Sequence, residues 1–280
     1  MSIAEEQARL SSSARLGAGL LTLGMLVGLV GCATPLAPGS IDVRVGGTGK
    51  PVVVFQSGLG DGLAVWAAVQ DRVADRATTV AFSRPGYGRS PADAGERSPC
   101  AAAAAQRDLL RRQGLAPPYV LVGHSLGGLY QFAYARMFPD EVAGIVLLEP
   151  THPQHWSRLQ QDAPVVALLI RTARLSAFTG TMRREFDDQE RCLGELTAKP
   201  MPAVPIRVLV RGRFVPPETG AFEGVMRELW LDWSRLTNGR AVEPVPGAGH
   251  YIQKDQPQAV VDAIASVLSP QAAGTGATAR

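Results

Sequence analysis

The sequence predicts an α/β fold, a mostly parallel sheet flanked by helices. Short apolar, β-branched runs recur from residue 41 onward, and stretches of helical periodicity separate them. Several runs, such as Val52-Val53-Val54-Phe55, are apolar without alternation, the pattern of strands buried on both faces. Strand–helix alternation with right-handed crossovers builds such a sheet.

In chain order, the first feature precedes the domain. Leu16–Val30 is uncharged and mostly apolar, with Arg9 and Arg15 upstream. As a helix it spans about 22 Å, short of a ~30 Å hydrocarbon core. A secretory signal over residues 1–31 therefore fits better than a transmembrane helix, with an uncleaved signal anchor as the alternative. The run ends Leu29-Val30-Gly31-Cys32, which resembles the bacterial lipobox. That resemblance implies that Cys32 is lipidated and becomes the first mature residue. Ala33 after it implies sorting to the outer membrane of a Gram-negative cell, on the periplasmic face. Residues 32–40 are then a tether, 41–270 the folded domain and 271–280 a disordered tail.

Composition excludes several function classes. The chain of 280 residues is 46% hydrophobic with a net charge of +3, so it is not intrinsically disordered. No run of five basic residues offers a nucleic-acid footprint. Three Cys are too few for a disulfide scaffold or a Cys-rich zinc module. With Cys32 assigned to an anchor, Cys100 and Cys192 remain. Export permits a bridge between them, and their spacing leaves it open.

Strands are predicted at Ile41–Val45, Val52–Gln56, Thr78–Phe82, Val120–Gly123, Ala143–Leu148, Ile206–Val210 and Val242–Val245. Helices are predicted at Leu63–Ala74, Cys100–Gln113, Leu126–Phe138, Phe222–Leu236 and Pro257–Leu268. The segment between Leu148 and Ile206 is too long for a structureless loop. It carries helical segments at Pro164–Leu175 and Arg183–Leu196, so residues 151–204 are predicted to form a helical cap over the carboxyl edge of the sheet. Its apolar stretches, Val165–Ile170 and Leu175–Phe178, suggest a mainly apolar pocket with one anionic contact. Trp230 and Trp233 fit helix packing better than sugar stacking.

Gly123-His124-Ser125-Leu126-Gly127 fits G-x-S-x-G between a predicted strand and a predicted helix. Side chains flanking Ser125 must be small there, because a Cβ would strike neighbouring backbone. The helix that follows points its amino end at the serine, where negative charge is favoured. A serine hydroxyl needs a base. Of the four His, His124 points away in such a turn, and His152 and His155 stand at the cap entrance. His250 follows the last predicted strand on a Gly-rich loop and has the freedom to reach across the carboxyl edge.

Through these residues the chain resembles the α/β-hydrolase-fold serine hydrolases from about residue 41 to 268. The resemblance rests on Gln56-Ser-Gly-Leu-Gly60, Arg84-Pro-Gly-Tyr-Gly-Arg-Ser90, the Ser125 turn, and the His250 loop followed by Gln256-Pro257. It implies that the cap is inserted after the Ala143–Leu148 strand, the sixth of the family's sheet. It also implies chain order Ser, acid, His. The usual acid slot, near Val215, holds no carboxylate; Glu218 is three residues on. The other place used in the fold is the end of the preceding strand, where Glu149 stands. Glu149 is the preferred acid, since an unpaired buried carboxylate is costly and needs a reason. Glu218 is the alternative, and a salt bridge to a cap Arg would be a purely structural use of Glu149. By alignment, the backbone N–H groups of Leu59 and Leu126 form the oxyanion hole.

The implied activity is hydrolysis of a carboxylic ester or related acyl bond on a small, mainly apolar substrate, through an acyl-enzyme on Ser125. An acyltransferase, a C–C-bond hydrolase, or a non-catalytic envelope binding protein of the same fold are alternatives. A serine at the elbow argues against displacement at saturated carbon, which needs a carboxylate nucleophile. No cofactor is expected, and no H-x-x-H or H-E-x-x-H spacing suggests a metal. The expected attachment to a membrane is through lipid, with no nucleic-acid partner.

Overall fold

In the computed structural model, residues 40–269 are described; the predicted leader, Cys32, the tether up to residue 39 and the tail lie outside the described residues. The chain runs β1 (Val43–Gly46), β2 (Val52–Gln56), α1 (Ala67–Ala74), β3 (Thr79–Phe82), α2 (Pro99–Arg112), β4 (Tyr119–His124), α3 (Leu126–Met137) and β5 (Val142–Leu148). The inserted segment follows as α4 (His155–Asp162), α5 (Pro164–Ser176), α6 (Gly180–Asp188) and α7 (Leu193–Ala198). The domain closes with β6 (Ile206–Arg211), α8 (Ala221–Leu236), β7 (Val242–Val245), α9 (Ile252–Asp255) and α10 (Pro257–Leu268).

The seven strands lie in the order β1-β3-β2-β4-β5-β6-β7. All neighbours are parallel except β1, which runs antiparallel to β3 at the edge. Side chains alternate in β2 as strand geometry requires. Val52 and Val54 pack toward α2 and α3, while Val53 and Phe55 pack with residues of α1 and α10. Both faces are covered, which is why the run is apolar without a polar register. Trp233 and Trp230 are buried in helix packing as predicted, with Trp233 Nε1 donating to the Pro150 carbonyl at 3.2 Å.

Two predicted helices differ in form. Leu63–Ala74 opens as a 3-10 turn at Leu63–Trp66 before α1 begins. Arg183–Leu196 is two helices, because Cys192 takes a left-handed conformation at φ 62° and starts α7 in a new direction. Cys192 is bonded to Cys100 in the first turn of α2, with the Cα atoms 6.3 Å apart, so the inserted helices are stapled to the body. No helix among the described residues is long and apolar enough to cross a membrane.

A second tie joins the insertion to α8. His152 is 2% exposed and its Nε2 lies 2.9 Å from Asp232 Oδ2. Its Nδ1 accepts from the Gln154 N–H at 3.1 Å, so the proton is on Nε2 and donates to Asp232. Burial lowers this imidazole from 6.5 to about 4, against the smaller opposing pull of Asp232.

The disulfide closes a 92-residue separation. Replacing Cys100 and Cys192 by Ser, or adding reductant, should cost about 2–4 kcal/mol by constraint of the unfolded chain. Denaturant unfolding in both redox states measures this, and equal midpoints would refute it. His152 is depressed in the folded state, so its contribution is complete above its unfolded value of 6.5 and is lost as pH falls toward about 4. His152→Gln should therefore make stability less steeply pH-dependent in that window, by up to about 1.4 kcal/mol per pH unit. Unchanged slopes in urea titrations across the window would count against it.

Candidate active site

The parallel strands deliver the predicted residues to one edge. Registers pair His124 of β4 with Leu148 of β5, so Ser125 and Glu149 are the first residues beyond neighbouring strands. Ser125 has φ 53° and ψ −123°, and its N–H donates to the Leu148 carbonyl at 2.9 Å. The Ser125 carbonyl accepts from the N–H groups of Gly128 at 2.9 Å and Thr151 at 3.0 Å, which locks the turn from both sides. The small residues are required as predicted. A Cβ on Gly127 would stand 2.2 Å from the Gln56 carbonyl oxygen, and one on Gly123 would stand 2.5 Å from that of Gly127.

Glu149 also has a positive φ, 48°, and its side chain is fully buried. Oε1 accepts from the Arg211 N–H at 2.8 Å, and Oε2 accepts from Arg211 Nε at 2.6 Å. Oε2 lies 3.4 Å from His250 Nδ1. Burial alone would raise this carboxyl, but the contact with His250 and the Arg211 charge outweigh it and hold Glu149 below the ordinary carboxylate range. The salt bridge considered for Glu149 thus exists, but its partner ends β6 and is not a cap residue.

Arg211 is the residue that sequence reasoning missed. Its side chain is 3% exposed. Nη1 lies 2.7 Å from Glu218 Oε1, and Nη2 lies 2.9 Å from His250 Nδ1. Glu218 therefore pairs with Arg211, whereas Glu149 reaches both Arg211 and His250. A single Nδ1 serves either as acceptor from Arg211 or as donor to Glu149. The shorter contact corresponds to a ring with its proton on Nε2. Neither contact of His250 Nδ1 involves Ser125 Oγ, which makes no hydrogen bond among the described residues.

His124 is buried, and its Nε2 donates to the His250 carbonyl at 2.9 Å. Burial, with the neighbouring His250, drives it well below 6.5. It supports the His250 loop as a neutral ring, in keeping with the structural use expected of it.

The loop after β2 is held by Arg84. Nη1 donates to the Ser57 carbonyl at 2.5 Å and to Gln56 Oε1 at 3.1 Å, and Nη2 donates to the Gly58 carbonyl at 2.9 Å. Nε and Nη2 also bind the two oxygens of Glu185 on α6, at 2.8 and 2.9 Å. Tyr87 donates to Glu185 Oε2 at 2.8 Å. With both preceding carbonyls engaged, the N–H groups of Leu59 and of Leu126 donate to no protein group among the described residues.

A cavity of about 290 Å³ lies behind this loop, with Gln56, Arg84, Tyr130 and Glu185 in its wall; neither Ser125 nor His250 lines it. The apolar stretches of the insertion divide. Ala167 is buried, but Val165, Leu168, Leu169 and Leu175 are 60–71% exposed, so much of the expected pocket lining faces outward. No cluster of His, Cys, Asp and Glu suited to a metal occurs among the described residues.

The alpha/beta hydrolase fold family matches residues 51–217. An uncharacterized protein of Mycobacterium tuberculosis is 33% identical over 105 residues, 38% of this chain and 30% of that relative. The human (lyso)-N-acylphosphatidylethanolamine lipase is 32% identical over 101 residues, 35% of this chain and 30% of the lipase. This chain therefore aligns with only 30% of the length of these curated relatives. Among solved structures, a thermophilic esterase from Thermogutta terrifontis superposes with a TM-score of 0.59 at 23% identity, over 83% of this chain and 95% of its own. An enol-lactonase from Burkholderia xenovorans gives 0.60 at 17% identity, over 81% and 96%. At these identities the superpositions speak for the fold alone. Sheet order, the strained serine turn and the matched segment agree, and the chain belongs to the alpha/beta hydrolase fold family.

Proposed function

We propose that the protein is a serine hydrolase that cleaves carboxylic esters, with Ser125 as nucleophile, His250 as base and Glu149 as the acid that orients it. The observation that supports this most is the contact of Glu149 Oε2 with His250 Nδ1 at 3.4 Å, on the strand end beside the Ser125 turn. In the productive tautomer the His250 proton is on Nδ1 and faces Glu149, which leaves Nε2 free to take the Ser125 proton. Arg211 Nη2 must give up its contact with Nδ1 for that tautomer to form. Ser125 then attacks the acyl carbonyl, and the N–H groups of Leu59 and Leu126 receive the oxyanion. His250 protonates the leaving alkoxide. Water, activated by the same imidazole, releases the acid and restores Ser125.

We also propose that the protein is exported and lipid-anchored through Cys32, at the periplasmic face of the outer membrane. The leader and lipobox support this, and the Cys100–Cys192 disulfide fits an oxidising compartment.

Three measurements on short-chain p-nitrophenyl esters bear on the mechanism. Ser125→Ala should lose at least about 10³-fold in kcat, and a fluorophosphonate should label Ser125 alone; activity equal to the wild type would overturn the serine mechanism. Glu149→Gln should lose about 10³–10⁴-fold in kcat, far more than Glu218→Gln. The reverse ranking would move the acid to Glu218. Glu185→Gln leaves a buried cation without its anion and should cost about 3–5 kcal/mol in urea unfolding. It should also lower kcat about tenfold or more as the oxyanion loop loosens. Intact kcat in the folded variant would show that the loop does not depend on Glu185.

A further inference from the structure

The outer side of α5 is a mainly apolar face, interrupted by Thr172 and Ser176, with no covering element among the described residues. Val165, Leu168, Leu169 and Leu175 are 71%, 63%, 60% and 70% exposed. Their spacing puts them on one side of the helix, and Ala167 on the other side is buried. Exposed aliphatic residues clustered in this way mark an interaction surface. Arg171 is on the same helix and Arg183 is nearby on α6. Both are exposed, and neither is paired with a carboxylate among the described residues. Arg171 lies over the Trp156 ring at 5.8 Å, and Arg183 Nε donates to the Phe178 carbonyl.

Two facts select the occupant. First, the unpaired charges beside the apolar face are cationic, which suits anionic headgroups at an apolar interior. Second, the chain enters the domain on the side that bears the insertion. The Asp42 carbonyl accepts from the Ser83 N–H just beyond β3, and Glu185 of α6 is bound to Arg84, the next residue. Ser40 is therefore at the carboxyl edge. The uncharged run Leu16–Val30 precedes it, and Cys32 is at most about 28 Å of extended chain away.

We propose that the outer face of α5 docks on a lipid bilayer that carries anionic headgroups, so that the insertion, and not only the amino-terminal segment, rests on the membrane. The choice of occupant rests on the anchor reading above, but the contact is a separate one.

The test uses the full chain with Cys32→Ser and Leu168→Cys, in which the introduced thiol is the only one outside the Cys100–Cys192 bridge. Labelled with an environment-sensitive nitrobenzoxadiazole, it is reconstituted with vesicles of phosphatidylethanolamine and phosphatidylglycerol. A second chain carries the label at Gln113→Cys, at the opposite end of α2. The expected result is blue-shifted emission from position 168, quenched by doxyl-labelled lipid, while position 113 stays unshifted. Val165→Asp with Leu169→Asp should abolish the shift, and phosphatidylcholine vesicles should weaken it. A chain that floats with the vesicles but shows no shift at 168 overturns the docking and leaves the membrane association standing. A chain that does not float overturns the docking alone, because Cys32→Ser removes the proposed lipidation site and leaves the anchor reading to lipid analysis of the native chain. A shift without lipid quenching also overturns the docking: growth with protein concentration assigns the face to a second copy, and independence of it assigns the face to Leu16–Val30.

Discussion

The guanidinium of Arg84 is the interaction on which the rest of the site depends. It is 4% exposed and places its five N–H donors on five acceptors: two oxygens of Glu185, the Gln56 side chain, and the carbonyls of Ser57 and Gly58. Burial opposes the charge, and the Glu185 carboxylate outweighs it and raises the guanidinium above its ordinary value. The rings of Tyr87 and Tyr130 each lie 5.1 Å from the guanidinium carbon. Leaving any acceptor unmet here would be expensive, so cap and loop are bound to one position together. From Gln56 the order continues through Gln106 and Gln131 to the Val54 carbonyl, a chain of buried amides that ends inside the sheet.

Two of the four non-glycine residues with positive φ among the described residues stand where the chemistry is proposed; the others, Cys192 and Asn238, stand at turns elsewhere. Ser125 and Glu149 both have positive φ, a costly choice for residues with a Cβ. Each is the first residue past a strand, and each is pinned by its own N–H, Ser125 to Leu148 and Glu149 to Leu209. The sheet thus supplies the restraint. Parallel register makes adjacent strand ends neighbours, so Ser125 after β4 and Glu149 after β5 come side by side without any long-range adjustment.

Much of this was legible in the sequence because it was written in patterns with a period or a fixed spacing. Val52–Gln56 was bounded correctly by its apolar run, and Ser125 by the glycines that the tight turn demands. His250 was singled out as the candidate base by its loop position among four histidines. What was not legible depends on partners distant in sequence. Glu185 is one of several charges on an amphipathic helix, and nothing local separates it from the exposed Asp187 that pairs with Arg174. Arg211 ends an apolar strand and reads as the first exposed residue, yet it is buried against Glu149. The outward turn of Val165, Leu168 and Leu169 was missed because apolarity predicts that a residue is covered and is silent about what covers it.

Arg211 also accounts for the two carboxylates that competed for one role. At the end of the strand that leads to the usual acid slot near Val215, this chain has a cation, and that cation needs anions. Glu149 supplies one through two hydrogen bonds and Glu218 a second across 2.7 Å. Counting charges, two carboxylates and one guanidinium leave a net charge of minus one around a neutral imidazole. When His250 takes the Ser125 proton, the cluster becomes neutral. Glu149 alone, already matched to the buried Arg211, would leave a new cation beside an old one. With Glu218 present, the proton moves toward a surplus of negative charge, and Nη1 has an anchor when Nη2 releases Nδ1. In the proposed mechanism the two acids are therefore not alternatives: Glu149 orients the ring, and Glu218 balances the cation at the end of β6.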